Sequence, residues 1–175
     1  QNQAFVAAAE AAALASPEAR FEHLPEHSLK PALTALPTLP AQAAKAANVR
    51  TAINQALRSL LEHDPRVLLL GEDLHEPYGG AFKVTAGLST QFAGRVLSTP
   101  ISEAGITGCG IGLALAGQRP IVEIMFADFM TLTLDQLYNH AVKFPGMFRD
   151  VEVPLLMRTP AGGRRGYGPT HSQSP

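Results

Sequence analysis

The run Arg66-Val67-Leu68-Leu69-Leu70, followed by Gly71-Glu72-Asp73, decides the fold. A short, unbroken apolar stretch suits a strand covered on both faces, as in a parallel sheet. Gly71-Glu72-Asp73 then leaves it at its carboxyl end. Upstream, Val49, Ala52, Ile53, Ala56, Leu57, Leu60 and Leu61 recur at three- and four-residue intervals, which makes one apolar helix face. Asp64-Pro65 ends that helix. Downstream, His75 to Gly80 is a loop, and Phe82 to Phe92 holds a short helix, clearest over Leu88 to Phe92. Arg95-Val96-Leu97-Ser98 is a second strand, stopped by Thr99-Pro100. Gly105 to Gly117 is a helix of small residues, and Pro120-Ile121-Val122-Glu123-Ile124-Met125 a third strand. Leu132 to Val142 reads as a helix with Leu134, Leu137, Tyr138 and Ala141 on one face. Val153-Pro154-Leu155-Leu156-Met157 is a fourth strand, and Ala161 to Pro175 is rich in glycine and turns. Strands separated by helical crossovers define an α/β class, a mostly parallel sheet with helices on both faces. Ligands of such sheets bind beyond the carboxyl ends of the strands. Glu72, Glu103, Asp128, Phe129 and His171 all follow strands, so the fold gathers them at one rim.

Composition bounds the rest. Of 175 residues, 46% are hydrophobic and 17% charged, enough apolar matter for a buried core. A net charge of -1 speaks against holding nucleic acid by bulk charge. No run of apolar residues is long enough for a transmembrane helix. Cys109 stands alone, which excludes an internal disulfide framework and a multi-cysteine zinc site. Gln1 to Leu14 is an alanine-rich helix without the basic start of a targeting peptide. The absent initiator Met implies processing or a fragment. Pro17, Pro25, Pro31, Pro37 and Pro40 punctuate the next segment, and Leu36 to Ala47 reads as a linker. Residues 1–48 are therefore expected as a helical tail and linker, and residues 49–175 as the functional domain.

Several residues can carry chemistry. Gly105, Gly108, Gly110, Gly112 and Gly117 crowd one helix, at a cost of about 1 kcal/mol each relative to alanine. Close packing must offset that, either against the helix's own sheet or against a partner; the spacing departs from the dinucleotide fingerprint. Glu103 starts this helix. It is either a simple N-terminal charge favoured by the dipole or a partly desolvated carboxyl of raised proton affinity. Phe129 either packs in the core or offers a ring at the sheet edge. His171 follows a flexible glycine-rich run, where loops deliver functional groups. Arg164 and Arg165 either bind an anion or solubilise that loop. No His or acidic pair has metal-ligand spacing, so no metal ligand is assigned on this chain.

Four stretches in order carry a resemblance: Leu70-Gly71-Glu72-Asp73, Thr99-Pro100-Ile101-Ser102-Glu103-Ala104-Gly105, Phe126-Ala127-Asp128-Phe129 and His171-Ser172-Gln173. From about Val49 to Pro175 the chain resembles the β subunit of the thiamine-diphosphate-dependent decarboxylase component of 2-oxo acid dehydrogenase complexes. The segment resembles that family's pyrimidine-binding domain, related to that of transketolase.

The resemblance implies roles. Glu103 matches the glutamate bonded to N1′ of the aminopyrimidine, Ile101 the apolar residue near its amino side and Phe129 the aromatic residue beside the ring. Glu72 matches an acid that tunes Glu103, and His171 the histidine that assists acyl transfer to a lipoyl group. A carboxyl sharing a proton with N1′ favours the imino tautomer that deprotonates the thiazolium carbon. The family's Gly-Asp-Gly and Asn-Asn motif for magnesium and diphosphate is missing here, and the family carries it on an α subunit or domain. The implied partners are that α portion, a second β copy and a lipoyl acyltransferase, and the substrate is a 2-oxo acid of branched-chain or pyruvate type. Neither nucleic acid nor membrane is implied. An acetoin-cleaving or transketolase-like enzyme and a non-catalytic assembly domain are the alternatives. The family's carboxyl-terminal domain is absent from the sequence, so the chain alone is expected to be incomplete and inactive. Phe5 to His27 resembles the end of an α subunit, which raises an α–linker–β fusion. The location implied is the cytoplasm of a bacterium or the mitochondrial matrix.

Overall fold

The computed structural model describes residues 2–17, 48–162 and 166–173. The chain divides into two compact units, Gln1–Thr34 and Ala35–Pro175. The first contains α1 (Asn2–Leu14), exposed along its length from Gln3 onward. The linker expected over Leu36–Ala47 lies outside the described residues.

The second unit is built on a four-stranded parallel sheet: β1 (Val67–Glu72), β2 (Val96–Thr99), β3 (Arg119–Glu123) and β4 (Leu156–Arg158), in the order β2-β1-β3-β4. Glu72 pairs with Thr99, Gly71 with Glu123, and Glu123 with Arg158. Successive side chains on a strand face opposite ways, so these pairings sort the residues by face. Val67, Leu69, Val96 and Ile121 belong to one core, with Leu57 and Leu61 of α2 (Val49–His63), Leu74, Val84 and Leu88. Leu70 and Val122 belong to a second core with Ile106 of α4 (Glu103–Leu115), and Leu97, Leu113, Phe129, Leu155 and Met157 pack against it. Helices thus cover both faces, as the strand–helix alternation requires. The alternation has a consequence for the acids. Glu72 and Thr99 are in phase with Leu70 and Leu97, on the α4 face. Glu123 is in phase with Ile121, on the α2 face.

Local signals explain the elements. Asn48 caps α2, its Oδ1 accepting from the Thr51 N–H at 2.9 Å. Ser102 caps α4 by accepting from the Gly105 N–H at 3.3 Å. Short helical pieces, Ala81–Lys83 and α3 (Leu88–Gln91), join β1 to β2. Several bounds shift, among them β3, which ends at Glu123 rather than Met125. The fourth strand starts at Leu156 rather than Val153, because Pro154 has no N–H to donate and the Leu155 N–H turns back to the Val153 carbonyl. The helix expected over Leu132–Val142 is instead a 3-10 segment, Ala127–Thr133, and a π-helix, Gln136–Val142, followed by α5 (Phe144–Met147). The wider π winding breaks the i,i+4 alignment, so Leu134 and Tyr138 are exposed while Leu137 and Ala141 are half-buried. No described helix is long and apolar enough to cross a membrane.

Candidate active site at the carboxyl rim of the sheet

β1 extends two residues past the expected Leu70, because Gly71 and Glu72 pair with Ser98 and Thr99. The Glu72 carboxyl is therefore held in the sheet rather than in a loop. It is only 7% exposed, and its Oε1 has no hydrogen-bond partner among the described residues. Thr99 Oγ1, its register neighbour on the same face, is likewise buried and unpartnered. Buried polar atoms left without partners are rare in folded proteins and point to something that completes them. Burial pushes the Glu72 carboxyl above the usual range, and the negative charges of Glu103 and Asp73 push it further. Glu72 and Glu103 therefore sense each other electrostatically.

Glu103 is the first residue of α4 and is 9% exposed. Its backbone carbonyl accepts from Thr107 Oγ1 at 2.8 Å, and Thr107 itself is fully buried. Gly105 lets the turn close: a Cβ there would stand 2.8 Å from Ser102 Oγ. The Glu103 carboxyl stands at the N-terminus of α4, at the rim that also holds Glu72 and Thr99.

Beyond β3, Phe129 packs on the core that holds Ile106, one turn along α4 from Glu103. His171 stands edge-on to two rings, 5.0 Å from Phe126 and 5.2 Å from Phe129 between centroids. Its loop is fastened by the Gln173 N–H, which donates to Asp128 Oδ1 at 3.1 Å. His171 Nδ1 lies 2.7 Å from Thr170 Oγ1. Of the residues singled out in the sequence, Glu72 and Glu103 are coupled, and Phe129 and His171 are in contact. Ile101 is 80% exposed at the carboxyl end of β2, an apolar side chain with nothing over it among the described residues. Arg164 and Arg165 lie outside the described residues.

Sequence reasoning missed four residues. Thr99 follows from register, once Leu97 is placed on the α4 face. Phe126 carries no signal of its own in the sequence beyond the Phe126-Ala127-Asp128-Phe129 stretch, yet it joins Phe129, His171, Tyr167 and Phe82. Glu123, buried, and Arg158, half-buried, form an ion pair. The signal for Glu123 was present: a lone acid in an otherwise apolar strand must find a partner.

The rim fits one end of a cofactor. Two buried, unsatisfied oxygens beside a second acid suit the polar edge of a heteroaromatic ring. No group of three or more His, Cys, Asp or Glu able to hold a metal occurs among the described residues.

A parallel sheet with acids and aromatics at its carboxyl rim defines a cofactor-binding α/β domain. Residues 45–174 match the family described as transketolase, pyrimidine binding domain, and the chain belongs to that family. Its relatives bear out the resemblance to β subunits of thiamine-diphosphate-dependent 2-oxo acid dehydrogenases. A pyruvate dehydrogenase E1 component subunit beta of Leifsonia xyli is 44% identical over 71% of this chain and 37% of its own length. The 2-oxoisovalerate dehydrogenase subunit beta 2, mitochondrial, of Arabidopsis thaliana is 44% identical over 77% of this chain and 38% of its own. An acetoin:2,6-dichlorophenolindophenol oxidoreductase subunit beta of Cupriavidus necator is 38% identical over 74% of this chain and 41% of its own. The chain thus spans well under half the length of these curated relatives. Among solved structures, a split gene transketolase, an inactive beta4 tetramer, matches with a TM-score of 0.49 at 21% identity, over 65% of this chain and 34% of that one.

Proposed function

We propose that this chain binds and activates the aminopyrimidine of thiamine diphosphate within a 2-oxo acid dehydrogenase that decarboxylates its substrate and passes the acyl unit to a lipoyl group. One observation carries the reading: the unsatisfied Glu72 Oε1, buried at the sheet rim and in electrostatic contact with Glu103. When bound, thiamine diphosphate supplies the electron sink that lets the bond to the departing carboxylate break. Glu103 exchanges a proton with ring nitrogen N1′, and the low solvent access around it keeps that proton in place. Glu72 stands beside Glu103 as a second acid, whose own carboxyl is pushed up by burial and by the Glu103 charge. Ile101 and Phe129 exclude water from the ring. His171, held edge-on by Phe126 and Phe129, faces the acyl-transfer step. Diphosphate and magnesium fall to an α subunit or α domain, which carries the Gly-Asp-Gly and Asn-Asn motif in the family that the chain resembles. A second β copy and a lipoyl acyltransferase complete the assembly. Residues 1–48 serve as the tail and linker of an α portion, and 49–175 as the pyrimidine domain. The site of action is the bacterial cytoplasm or the mitochondrial matrix. The acetoin relative supports one second reading, cleavage of acetoin in the same site.

The test is the full-length protein, assembled with its α portion and assayed for carbon dioxide release and acyl transfer from pyruvate, 2-oxoisovalerate and acetoin. Thiamine-diphosphate-dependent release from a 2-oxo acid, lost in Glu103→Gln, is expected. Cleavage of acetoin alone would favour the second reading, and no cofactor binding by the assembly would overturn both.

A further inference from the structure

The α2 face of the same rim holds a second acid that the proposed chemistry does not use. Glu123 ends β3 and is only 4% exposed. Its Oε2 accepts from the Arg158 guanidinium at the end of β4, and its Oε1 accepts from the Ala81 N–H at 2.9 Å. One carboxylate therefore ties together three separate pieces: β3, β4 and the loop that follows β1. The fit is tight. A Cβ at Gly80, whose φ is +71°, would stand 2.7 Å from Thr85 Oγ1 and 3.1 Å from Glu123 Oε1, so only glycine lets the loop reach the carboxylate.

What the tie holds is strained. Phe82 and Lys83, directly after Ala81, have φ of 57° and 59°, left-handed values that residues other than glycine rarely adopt. Such backbone persists only where its surroundings determine it. The Glu123–Ala81 bond is the fixed point next to it, and Lys83 Nζ adds a bond to the Pro77 carbonyl at 2.8 Å. The Phe82 ring that results lies 6.1 Å from Phe126 and 6.4 Å from Tyr167. Phe126 in turn lies 5.9 Å from Tyr167 and 5.0 Å from His171. From the other side, Arg158 fixes the end of β4, where its carbonyl accepts from the Ile124 N–H and the Pro160 carbonyl accepts from the Ala127 N–H. The segment leading to His171 departs from that point.

We propose that the Glu123–Arg158 pair is a positioning device for His171, setting, through Phe82 and Tyr167, the Phe126 ring against which the imidazole stands edge-on. The inference deepens the function proposed above and rests on it for the step that His171 serves. The pair stands on the face of the sheet opposite Glu72, Thr99 and Glu103, so it reaches His171 through Phe126 rather than through those acids. A buried ion pair contributes little to net stability compared with apolar residues of similar volume, which leaves positioning as its role here.

The test uses the full-length protein in its assembled form. Removing one partner alone strands a buried charge, so the main variant is the double Glu123→Leu/Arg158→Met, which removes both charges at once. Phe82→Gly is the second variant: glycine keeps the left-handed backbone and deletes the ring. His171 accessibility is read by carbethoxylation with diethyl pyrocarbonate, mapped to the His171 peptide. Function is read as the ratio of acyl transfer to a lipoyl domain over decarboxylation with an artificial electron acceptor. Both variants are expected to speed His171 modification several-fold, about fivefold, by local opening. Both are expected to lower the transfer ratio by about tenfold or more, with cofactor affinity unchanged. Unchanged modification of His171 in folded variants would overturn the inference. So would an equal loss of decarboxylation and transfer, which marks a merely structural role, or faster modification with an unchanged ratio. If wild-type protein never transfers an acyl group, the proposed function fails, while faster modification still upholds the positioning of His171 by the pair.

Discussion

Two glycines of α4 provide a controlled test of how the helix meets the sheet. A Cβ at Gly110 would stand 2.6 Å from Val122 Cγ2 and 3.1 Å from Leu155 Cδ1. Val122 is fully buried and β-branched, so it has no low-energy alternative rotamer to retreat into. A Cβ at Gly112 would meet nothing within 4 Å. Both substitutions to alanine gain the same helix propensity, about 1 kcal/mol. That gain cancels when the two variants are compared, and the difference isolates the overpacking at Gly110, about 1–3 kcal/mol. At about 2–4 °C per kcal/mol for a chain of this size, Gly110→Ala should melt roughly 2–12 °C below Gly112→Ala. Thermal unfolding followed by far-ultraviolet circular dichroism measures it. Equal melting temperatures, or a higher one for Gly110→Ala, would refute close packing of α4 on β3. Where α4 also meets a partner through its open side, Gly112→Ala should raise the melting temperature of this chain and weaken assembly.

Two further predictions concern charge. Asp64 is held down to about 2 by hydrogen bonding to Arg66, with Arg119 adding its charge at 3.6 Å. A depressed carboxyl gives stability present above its unfolded value of 3.8 and lost as pH falls towards 2, so Asp64→Asn should cost up to about 1 kcal/mol at pH 7 in urea titrations and nothing near pH 2. Glu72 is raised, so its contribution has the opposite sign: it is fully present below the unfolded value of 4.5 and lost as pH rises through the folded one. Glu72→Gln should therefore become more stable relative to wild type as pH rises above about 4.5, and a constant difference across pH would show that the carboxyl is not desolvated.

The sheet was legible in the sequence because each strand is a compact apolar run between turn signals, and such runs have few other homes. Its boundaries were less so. Strand ends depend on pairing, and Glu72 joins β1 only because Ser98 and Thr99 stand beside it. The π-helix at Gln136–Val142 was invisible, since an apolar period of three to four residues does not distinguish π from α winding. At the site, Glu103 and His171 stood out by chemical type and by neighbouring glycines. Thr99 and Glu123 did not, because their meaning depends on which face of the sheet each occupies, and that requires the register. Phe126 gives no separate signal in the sequence, although it is the ring that links the Phe82 loop to His171.

The most direct test of the central claim is the rate of hydrogen–deuterium exchange at the thiazolium carbon of thiamine diphosphate bound to the full-length, assembled protein, followed by proton magnetic resonance. Replacing Glu103 by Gln should slow that exchange by about 10²–10⁴-fold while the protein stays folded and the cofactor stays bound. Exchange at the wild-type rate in the Glu103→Gln protein would contradict it.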